Sequence, residues 1–309
     1  MDVSAVVVSW NTCDLLGECL ESLKVHAPSR RTLEVVVVDN GSTDGSVELV
    51  RSEWPDVVLV ANRENEGFQR ATNRGIGLSR GRYLLLVNAD AQVRAGAIGT
   101  MLDRLESDRR AAAVGPRLVY GDGSFQRWTA GRAPDLTSVA SYFLFAERFS
   151  AAAARRSLFL AEDVREPFCP DWVSSACMLV RREALDQIGL MDERYLCYMD
   201  DVDLCERFRA AGWRVWYDPV AEVVHLMGQS TERQTGSVSP AAIRNFNDYF
   251  ARRHGVAAGA VARAAQFTGY VSRALAYAGR SLLRPRDGDD QRSRAHLRRA
   301  RATLQRGHV

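Results

Sequence analysis

No two of the six cysteines stand in the Cys-x-x-Cys spacing that zinc knuckles and thioredoxin-type redox motifs use. The six are Cys13, Cys19, Cys169, Cys177, Cys197 and Cys205. Several lie within apolar stretches, where a thiol behaves as a small hydrophobic side chain. The spacing therefore argues against a metal or redox site of these types, and it predicts reduced, buried thiols in a cytoplasmic protein.

Long apolar runs are also missing. No uninterrupted apolar stretch approaches the ~18 residues that a membrane-spanning helix needs. The short apolar run at the N-terminus has no basic region ahead of it, which differs from the pattern of a signal peptide. We therefore expect a cytoplasmic protein whose only membrane contact would be peripheral, on the inner face of the plasma membrane.

Net charge is low, at +3 over 309 residues, which argues against non-specific nucleic-acid binding by the chain as a whole. The charge is unevenly distributed along the sequence. From Val261 onward, eleven arginines and three aspartates leave +8, so the rest of the chain carries −5. A basic tail on an acidic body predicts an anionic partner for the tail.

What the sequence does contain is an alternation of short β-branched runs and amphipathic segments. Apolar runs at 3–9, 33–38, 57–60 and 83–87 predict buried strands, and helical spacing follows at 15–23, 47–51 and 68–79. This alternation predicts a Rossmann-like α/β fold, a mainly parallel sheet with helices on both faces. Ligands bind beyond the carboxyl ends of the strands in such sheets, and polar clusters follow Val8, Val38 and Val87 there.

The first of these clusters follows the second predicted strand and reads Asp39-Asn40-Gly41-Ser42. A carboxylate at the end of a strand can accept hydrogen bonds from a ribose or a nucleobase edge. The same residues also suit a plain strand-to-helix turn with Asp39 and Ser42 as caps. The pattern alone leaves both interpretations open.

A second cluster, Asn65 to Phe68 followed by Asn73, opens a predicted helix. Gly67 allows close backbone approach at a helix N-terminus, whose partial positive charge favours a phosphate or a polar base. A capped helix with a convenient glycine explains the same residues.

Metal-ligand candidates follow the fourth predicted strand. Asn88 and Asp90 lie on the same side of an extended chain, and Mg²⁺ prefers such oxygen ligands together with substrate phosphates. A turn after a core strand is the alternative. His225 follows an apolar run, where a single histidine is more often structural than metal-binding, and the glycine and polar residues within 227–230 suit a mobile loop that covers phosphate.

The densest group of carboxylates is Asp200, Asp201 and Asp203. Carboxylates this close repel one another unless a metal or a raised pKa holds them together. One of them within reach of an acceptor hydroxyl can act as a general base. A solvated acidic helix start, favoured by the helix dipole, is the alternative.

Taken together, these clusters resemble the GT-A-fold inverting glycosyltransferases of family two, and within them the rhamnosyltransferase-like branch. The resemblance covers roughly residues 3–230. The segments that carry it are VVVSWN at 6–11, VVVDNGSTDGS at 36–46, NEGF at 65–68, NRG at 73–75, LLLVNAD at 84–90, WVSSACMLVRR at 172–182, MDERY at 191–195, DDVDLCER at 200–207, AGW at 211–213 and HLMGQS at 225–230.

The resemblance implies a role for each matching residue. The donor-binding residues would be Ser9, Asn11, Asp39, Asn65, Gly67, Asn73 and Asn88. Asp90 matches the aspartate of the DXD-type metal motif, and His225 matches a second ligand for Mg²⁺ or Mn²⁺. Asp201 matches the general base, with Asp200 beside it, and Trp172 and Asp200 would lie near the acceptor.

Three positions depart from the usual pattern of the branch. The metal motif offers only the carboxylate of Asp90, Asp200 stands where glutamate is usual, and Ser175 stands where glycine is usual. These departures bear on metal affinity and on the shape of the sugar pocket.

The function implied is inverting transfer of rhamnose or another hexose from a dTDP- or UDP-sugar to an acceptor hydroxyl. The expected setting is synthesis of a cell-surface polysaccharide, a cell wall or a glycoconjugate. The expected partners are the nucleoside-diphosphate sugar and a sugar or lipid-linked acceptor, without nucleic acid, and the oligomeric state stays open.

Two other functions are compatible with the fold class. A sugar-1-phosphate nucleotidylyltransferase needs a Gly-rich, Arg-containing loop after its first strand, whereas this chain has Ser9-Trp10-Asn11-Thr12 there. A non-catalytic nucleotide-sugar-binding or membrane scaffold protein would not need Asp90, Asp201 and His225, all of which are present.

The domain organisation predicted from the sequence is a catalytic domain over 1–256 and a basic helical extension over 257–309. The catalytic domain would comprise a nucleotide-sugar half at 1–115 and an acceptor half at 116–256. In the extension, apolar residues recur at helical spacing from Phe267 to Leu282, with arginines largely on another side. This pattern indicates either peripheral membrane contact through 261–309 or packing on the domain or a second subunit.

Overall fold

The computed structural model describes residues 1–160, 162–195, 199–226, 240–283 and 289–305. It divides the chain into two compact units. The first comprises Met1–Gly131 and Glu162–Ser230, and the second comprises Arg132–Ala161 and Thr231–Val309. The predicted functional boundary between residues 256 and 257 stays a prediction.

Strands and helices alternate through most of the first unit. The described strands are β1 (Val3–Ser9), β2 (Leu33–Asp39), β3 (Val58–Ala61), β4 (Tyr83–Asn88), β5 (Ala91–Val93), β6 (Ala111–Val119), β7 (Ala130–Gly131), β8 (Trp172–Val173), β9 (Cys177–Arg181) and β10 (Arg214–His225). The described helices are α1 (Cys13–Val25), α2 (Ser46–Glu53), α3 (Phe68–Leu78), α4 (Ala97–Ser107), α5 (Leu136–Phe143), α6 (Ala151–Ala154), α7 (Arg182–Ile188), α8 (Asp200–Ala210), α9 (Pro240–His254), α10 (Val256–Leu283) and α11 (Asp289–Thr303). The first four predicted strands agree with β1 to β4 to within one residue at each end.

Within the described residues, eight strands form one sheet in the order β3-β2-β1-β4-β9-β6-β10-β5. Neighbouring strands run parallel except at β9, which is antiparallel to β4 and β6, and at β5, which is antiparallel to β10. The predicted α/β class with a mainly parallel sheet is confirmed.

The sheet is buried on both faces, which explains why its strands are continuous apolar runs. On one face, α1 and α4 pack apolar side chains such as Leu16, Leu20 and Met101 into the main core. On the other face, α3 lies so close to the sheet that a Cβ at Gly75 would stand 2.4 Å from Val6 Cγ1. Glycine at that position therefore sets how near α3 comes to the strand ends.

The second unit is helical and contains α5, α6, α9, α10 and α11. Its core contains Val139, Phe143 and Phe250. The Arg273 guanidinium donates to the Phe143 carbonyl and lies 4.2 Å from the ring centre of Phe145. At least one arginine of the predicted basic side of α10, Arg273, is therefore engaged in contacts within the protein.

The predicted apolar side of α10 divides between buried and exposed residues. Ala274 is buried, whereas Phe267, Leu275 and Leu282 are exposed. Arg280 of the same helix forms an ion pair with Asp289 of α11, with the closest atoms 2.6 Å apart. No helix within the described residues is long and apolar enough to cross a membrane.

The five described cysteines are all free thiols. Cys19, Cys177 and Cys205 are buried, in agreement with the prediction of buried thiols. Cys13 is half-buried and Cys169 is exposed, because the latter lies in the loop before β8 rather than in the sheet. Cys197 lies outside the described residues.

Candidate active site

The predicted functional residues follow strands that end side by side. β1 lies between β2 and β4, with Ser9 opposite Asp39 and Val8 opposite Asn88. The Asn88 amide N–H donates to the Ala176 carbonyl at 3.0 Å, which brings the start of the reversed strand β9 to the same edge. The carboxyl ends of parallel strands form the usual ligand edge of such a sheet.

The turn after β2, residues 39–43 and named here the β2 turn, is closed by side-chain hydrogen bonds. Asp39 Oδ1 accepts from the Ser42 amide at 2.9 Å, and Ser42 Oγ accepts from the Asn11 amide at 2.9 Å. Asn11, held at a φ of +51°, accepts from the Thr43 amide at 2.8 Å. The other oxygen of the buried Asp39 carboxylate has no hydrogen-bond partner among the described residues, so it remains to accept from a ligand.

β1 supports this turn from beneath. The Ser9 carbonyl accepts from the Asn40 amide at 2.8 Å, and the Ser9 hydroxyl lies 3.1 Å from that of Thr12. Helix α2 begins only after Gly45, and it is Asp44 that accepts from its first amide, that of Ser46, at 3.1 Å. Asp39 and Ser42 therefore bond within the turn rather than cap a helix, contrary to one of the two interpretations of the sequence.

The Asn65–Gly67 segment is tied to the same turn through Asn40. The side-chain amide of Asn40 donates to Asn65 Oδ1 at 2.9 Å. Asn65 Oδ1 also accepts from the backbone amide of Gly67 at 2.9 Å. Gly67 precedes α3 with a φ of +92°, a backbone conformation that residues other than glycine rarely adopt. The predicted residues Asn65 and Gly67 are thus brought next to the β2 turn.

Asn73 is engaged with the segment that precedes α8. Its side-chain amide donates to the Met191 carbonyl at 2.9 Å and to Glu193 at 3.1 Å, and its oxygen accepts from the Met191 amide at 3.0 Å. The side-chain amide of Asn73 is therefore already hydrogen-bonded within the protein, to the segment that contains Met191 and Glu193. A contact between Asn73 and a donor stays a prediction.

Asp90 and His225 are brought together by the antiparallel pairing of β5 with β10. His225 Nε2 lies 3.4 Å from Asp90 Oδ1, and both residues are largely buried. On its other side, His225 Nδ1 lies 3.0 Å from Gln126 Oε1. The Gln126 amide nitrogen donates to the backbone carbonyls of Val119 and His225, so its oxygen must face the imidazole.

This arrangement determines the tautomer of the imidazole. Because Gln126 Oε1 can only accept, Nδ1 of His225 carries the proton, and in the neutral ring Nε2 presents a lone pair to the Asp90 carboxylate. Two acceptors that face each other need a proton or a cation between them. Orientation of a histidine by a partner on its other nitrogen is the usual support of a metal-binding histidine.

The donor set suits a hard divalent cation that is shared with a substrate. Among the described residues, no three His, Cys, Asp or Glu side chains are grouped to hold a metal ion, so other ligands would have to come from phosphate or water. Asn88 Oδ1 is buried at the same strand end, and within the described chain it has no hydrogen-bond partner. The predicted ligands Asp90 and His225 thus fit a metal without forming a complete cage.

Asp200 and Asp201 open α8 and form a carboxylate pair. The Ser175 hydroxyl donates to Asp200 Oδ2 at 3.0 Å, and Asp201 Oδ1 accepts from the Val202 amide at 2.9 Å. Met199 before them has a φ of +69°, which turns the chain sharply into the helix. Ser175, one of the departures noted in the sequence, is therefore a direct partner of Asp200.

Burial raises the pKa of both carboxyl groups in this pair. For Asp201, burial of the carboxyl group and then the charge of Asp200 raise the pKa to about 8, although part of the residue is exposed. For Asp200, burial raises the pKa, while the hydrogen bond from Ser175 and the nearby Gln69 amide lower it. A group that ionises near neutral pH beside a second carboxylate is suited to accept a proton.

Trp172 lies in β8, which packs against α8, and it is buried. Its predicted role near an acceptor stays a prediction. The predicted phosphate-covering loop at 227–230 lies outside the described residues, as does Tyr198 before the carboxylate pair.

Sequence reasoning missed Gln126 and Gln69. Gln126 stands far from His225 in the chain, and nothing in its local pattern marks it. Gln69 left a weak signal, since it lies on the face of α3 that also buries Thr72 and Ile76, where a glutamine side chain is unexpected.

Comparison with known proteins agrees with this geometry. A family profile described as Glycosyl transferase family 2 matches residues 4–189, more than half of the chain. The chain belongs to glycosyl transferase family 2. The family resemblance stated from the sequence is confirmed, and the chain is a glycosyltransferase.

Among family 2 relatives, N-acetylglucosaminyl-diphospho-decaprenol L-rhamnosyltransferase of Mycobacterium tuberculosis is 34% identical over 263 residues. The match covers 81% of this chain and 84% of the relative. Succinoglycan biosynthesis protein ExoO of Rhizobium meliloti is 36% identical over 114 residues, which cover 37% of this chain and 32% of that protein. The first match therefore covers most of both chains, whereas the second covers about a third of each.

Two solved structures share the fold of this chain. Mannosyltransferase PcManGT from Pyrobaculum calidifontis, in complex with GDP-Man and Mn2+, has a TM-score of 0.59 at 18% identity, covering 98% of this chain and 86% of its own. GalNAc-T7 with UDP, GalNAc and Mn2+ has a TM-score of 0.57 at 16% identity, covering 83% and 51%. At these identities the likeness concerns the fold, and it agrees with the GT-A class expected of family 2.

Proposed function

We propose that the chain transfers rhamnose, or another hexose, from a dTDP- or UDP-sugar to a hydroxyl of a lipid-linked sugar, with inversion at the anomeric carbon. The observation that carries the proposal is the buried carboxylate pair at the start of α8, where burial and the charge of Asp200 raise the pKa of Asp201. Rhamnose and the lipid-linked acceptor are suggested by the name of the mycobacterial relative, whose match covers most of both chains.

The proposed reaction is a single displacement. Ionised Asp201 accepts the proton of the acceptor hydroxyl as that oxygen forms a bond to the anomeric carbon. The bond from the anomeric carbon to the phosphate oxygen breaks, and its electron pair leaves with the nucleoside diphosphate. Attack from the face opposite the leaving group inverts the centre, and Asp201 then returns its proton to solvent.

The remaining polar groups at the edge would bind the donor. Asp39, with one carboxylate oxygen lacking a protein partner, would accept hydrogen bonds from the nucleoside, and Asn88 would contact the donor beyond β4. Asp90 and His225 would hold Mg²⁺ or Mn²⁺ against the diphosphate. When bound, such an ion supplies positive charge to the leaving diphosphate.

The test is a transfer assay with purified full-length protein, dTDP-rhamnose and a short-chain N-acetylglucosaminyl diphospholipid, with Mn²⁺ or with EDTA. NMR of the product gives the configuration of the new glycosidic bond. We expect transfer with Mn²⁺, loss with EDTA and an inverted centre. A product of retained configuration contradicts the displacement at Asp201.

Donor identity is tested separately by thermal shift with a panel of nucleotide sugars, with and without Mn²⁺. A ligand that binds only the folded protein raises its apparent stability by RT ln(1 + [L]/Kd), about 2.7 kcal/mol at a hundred times Kd. We expect one nucleotide sugar to stabilise the chain far more with Mn²⁺. Stabilisation by several donors without any transfer favours the non-catalytic alternative, and formation of a nucleotide sugar from a sugar phosphate favours the nucleotidylyltransferase.

We also propose that the second unit contacts an anionic membrane surface. Phe267, Leu275 and Leu282 leave an apolar stripe exposed on α10. In α11, the arginines at 294, 298 and 301 are exposed. Apolar side chains beside arginines are typical of helices that lie in an interface, and a lipid-linked acceptor resides there.

Flotation with vesicles tests the membrane contact. We expect full-length protein to float with phosphatidylglycerol vesicles, less in high salt, and not with phosphatidylcholine alone. At about 1 kcal/mol for each basic residue, replacing the arginines at 294, 298 and 301 by glutamine lowers binding about 100-fold. The matched control replaces three exposed arginines of the first unit, Arg51, Arg63 and Arg109. Equal loss in both variants points to net charge alone.

A further inference from the structure

Two polar side chains from distant parts of the first unit converge on Asp200 rather than on Asp201. The Ser175 hydroxyl, just before β9, donates to Asp200 Oδ2 at 3.0 Å. Gln69, the second residue of α3, is 1% exposed, and its amide acts on the Asp200 carboxylate. Asp201 instead accepts from backbone amides, among them that of Val202 at 2.9 Å and that of Ser175.

The Gln69 amide interacts with Asp200 but does not reach full hydrogen-bond geometry. Its nitrogen and its oxygen are both closed off from solvent, and neither has a hydrogen-bond partner within the described part of the chain. A buried amide without partners destabilises the folded protein, so a small rotation that closes it onto a charged Asp200 is favoured.

We propose that Ser175 and Gln69 are positioning residues which hold Asp200 in its ionised form, so that Asp201 is the second group of the pair to ionise and, once ionised, acts as the base. The proposal rests on the proposed function for its catalytic meaning. Two carboxyl groups this close share one proton before both ionise, and donors on one of them decide where that proton resides.

Other charged groups near the pair do not reverse this assignment. Asp203, in the same turn of α8, forms an ion pair with Arg207 at 2.8 Å. Arg209, near the end of the helix, forms one with Asp171 at 3.0 Å. Each of these cations therefore has its own carboxylate partner, and the nearest donors to Asp200 remain the neutral Ser175 and Gln69.

The experiment compares Ser175→Ala, Gln69→Met and the double variant with two matched controls. Ser174→Ala removes a neighbouring hydroxyl that accepts from the Ala176 amide, and Thr72→Val alters a buried position one turn along α3. Ser175→Thr keeps the hydroxyl and should behave as the wild type. Thermal unfolding confirms that each variant is folded.

The first readout needs no activity. Carboxyl titrations of the free protein, followed by NMR with ¹³C-labelled aspartate and assigned with Asp200→Asn and Asp201→Asn, report both groups. A hydrogen bond to a charged group is worth about one pKa unit or more. We expect the double variant to raise the pKa of Asp200 by about one unit, while Asp201 loses its proton at lower pH because its neighbour stays neutral.

The second readout is the pH profile of kcat/KM. We expect its acidic limb to move about one unit to lower pH in the double variant and by less in each single variant, with no movement in the controls. An unchanged Asp200 titration in a folded double variant overturns the proposal, and the single variants decide the matter if the double variant does not fold. Wild-type protein without transfer, but with the expected titrations, contradicts the proposed function alone.

Discussion

The β2 turn and the carboxylate pair occupy the same edge of the sheet but differ in how their polar groups are satisfied. In the β2 turn, Asp39, Ser42 and Asn11 bond to one another and to the backbone, which leaves a single carboxylate oxygen for a ligand. In the carboxylate pair, burial raises the pKa of both groups and a nearby glutamine amide lacks a partner. The difference indicates that the binding surface is already formed, whereas the charged form of the neighbouring carboxylate pair is disfavoured by burial.

Replacement of Asp201 by asparagine should separate the two regions most sharply. The shape is almost unchanged, but an amide cannot accept the proton, so we expect turnover to fall by ~10²–10⁴-fold with nucleotide binding retained. Steady-state kinetics and calorimetric titration of dTDP measure the two effects. Asp203→Asn on the same helix is the matched control, and near-normal turnover of Asp201→Asn would shift the assignment to Asp200.

Replacement of Asp90 by alanine should weaken binding of the diphosphate without disturbing the β2 turn. We expect the Mn²⁺-dependent affinity for dTDP to fall by more than about 100-fold, because a first ligand matters more than the outer partners that cost ~10–100-fold. Titration calorimetry with and without Mn²⁺ measures it, and His225→Ala should behave alike. An equal loss of metal-free nucleoside binding would mean that both residues are structural.

Gln126→Leu tests the tautomer argument with a smaller expected effect. Loss of the acceptor at Nδ1 frees the ring of His225 to adopt the other tautomer, so metal affinity should fall by ~10–100-fold. The matched control is Gln266→Leu, an equally buried glutamine in the second unit. Unaltered Mn²⁺ affinity in folded Gln126→Leu protein would argue against a metal at His225.

The smallest expected effect concerns stability as a function of pH. The pKa of Asp201 is raised from 3.8 to about 8, so the folded protein binds this proton more tightly than the unfolded chain does. Its ionisation therefore costs the wild type stability progressively as the pH rises from about 4 to about 8. We expect Asp201→Asn to gain a few degrees in Tm over the wild type across this range, with little difference at pH 4, as measured by calorimetry.

Sequence patterns were sufficient for the strand ends but not for the partners that hold the site. Runs of valine and leucine predicted β1 to β4, and the polar residues that follow them fall at the sheet edge as expected. The contacts of Gln126 and Gln69 could not be predicted, because each depends on how distant segments pack. The sequence also did not predict which apolar residues of α10 are buried and which are exposed, because helical spacing does not tell which positions face α11.

The reversed strand β9 and the late strand β10 have a consequence for synthesis of the protein on the ribosome. β1 to β4 can pair as they emerge, and Asp39 and Asp90 are then already present. The histidine that faces Asp90 comes at the end of β10, after β9 and α8 have been made. A nascent chain that stops before β10 thus has the first acidic residues of the edge but no His225. The complete site can therefore form only after β10, the last of the described strands, has been made.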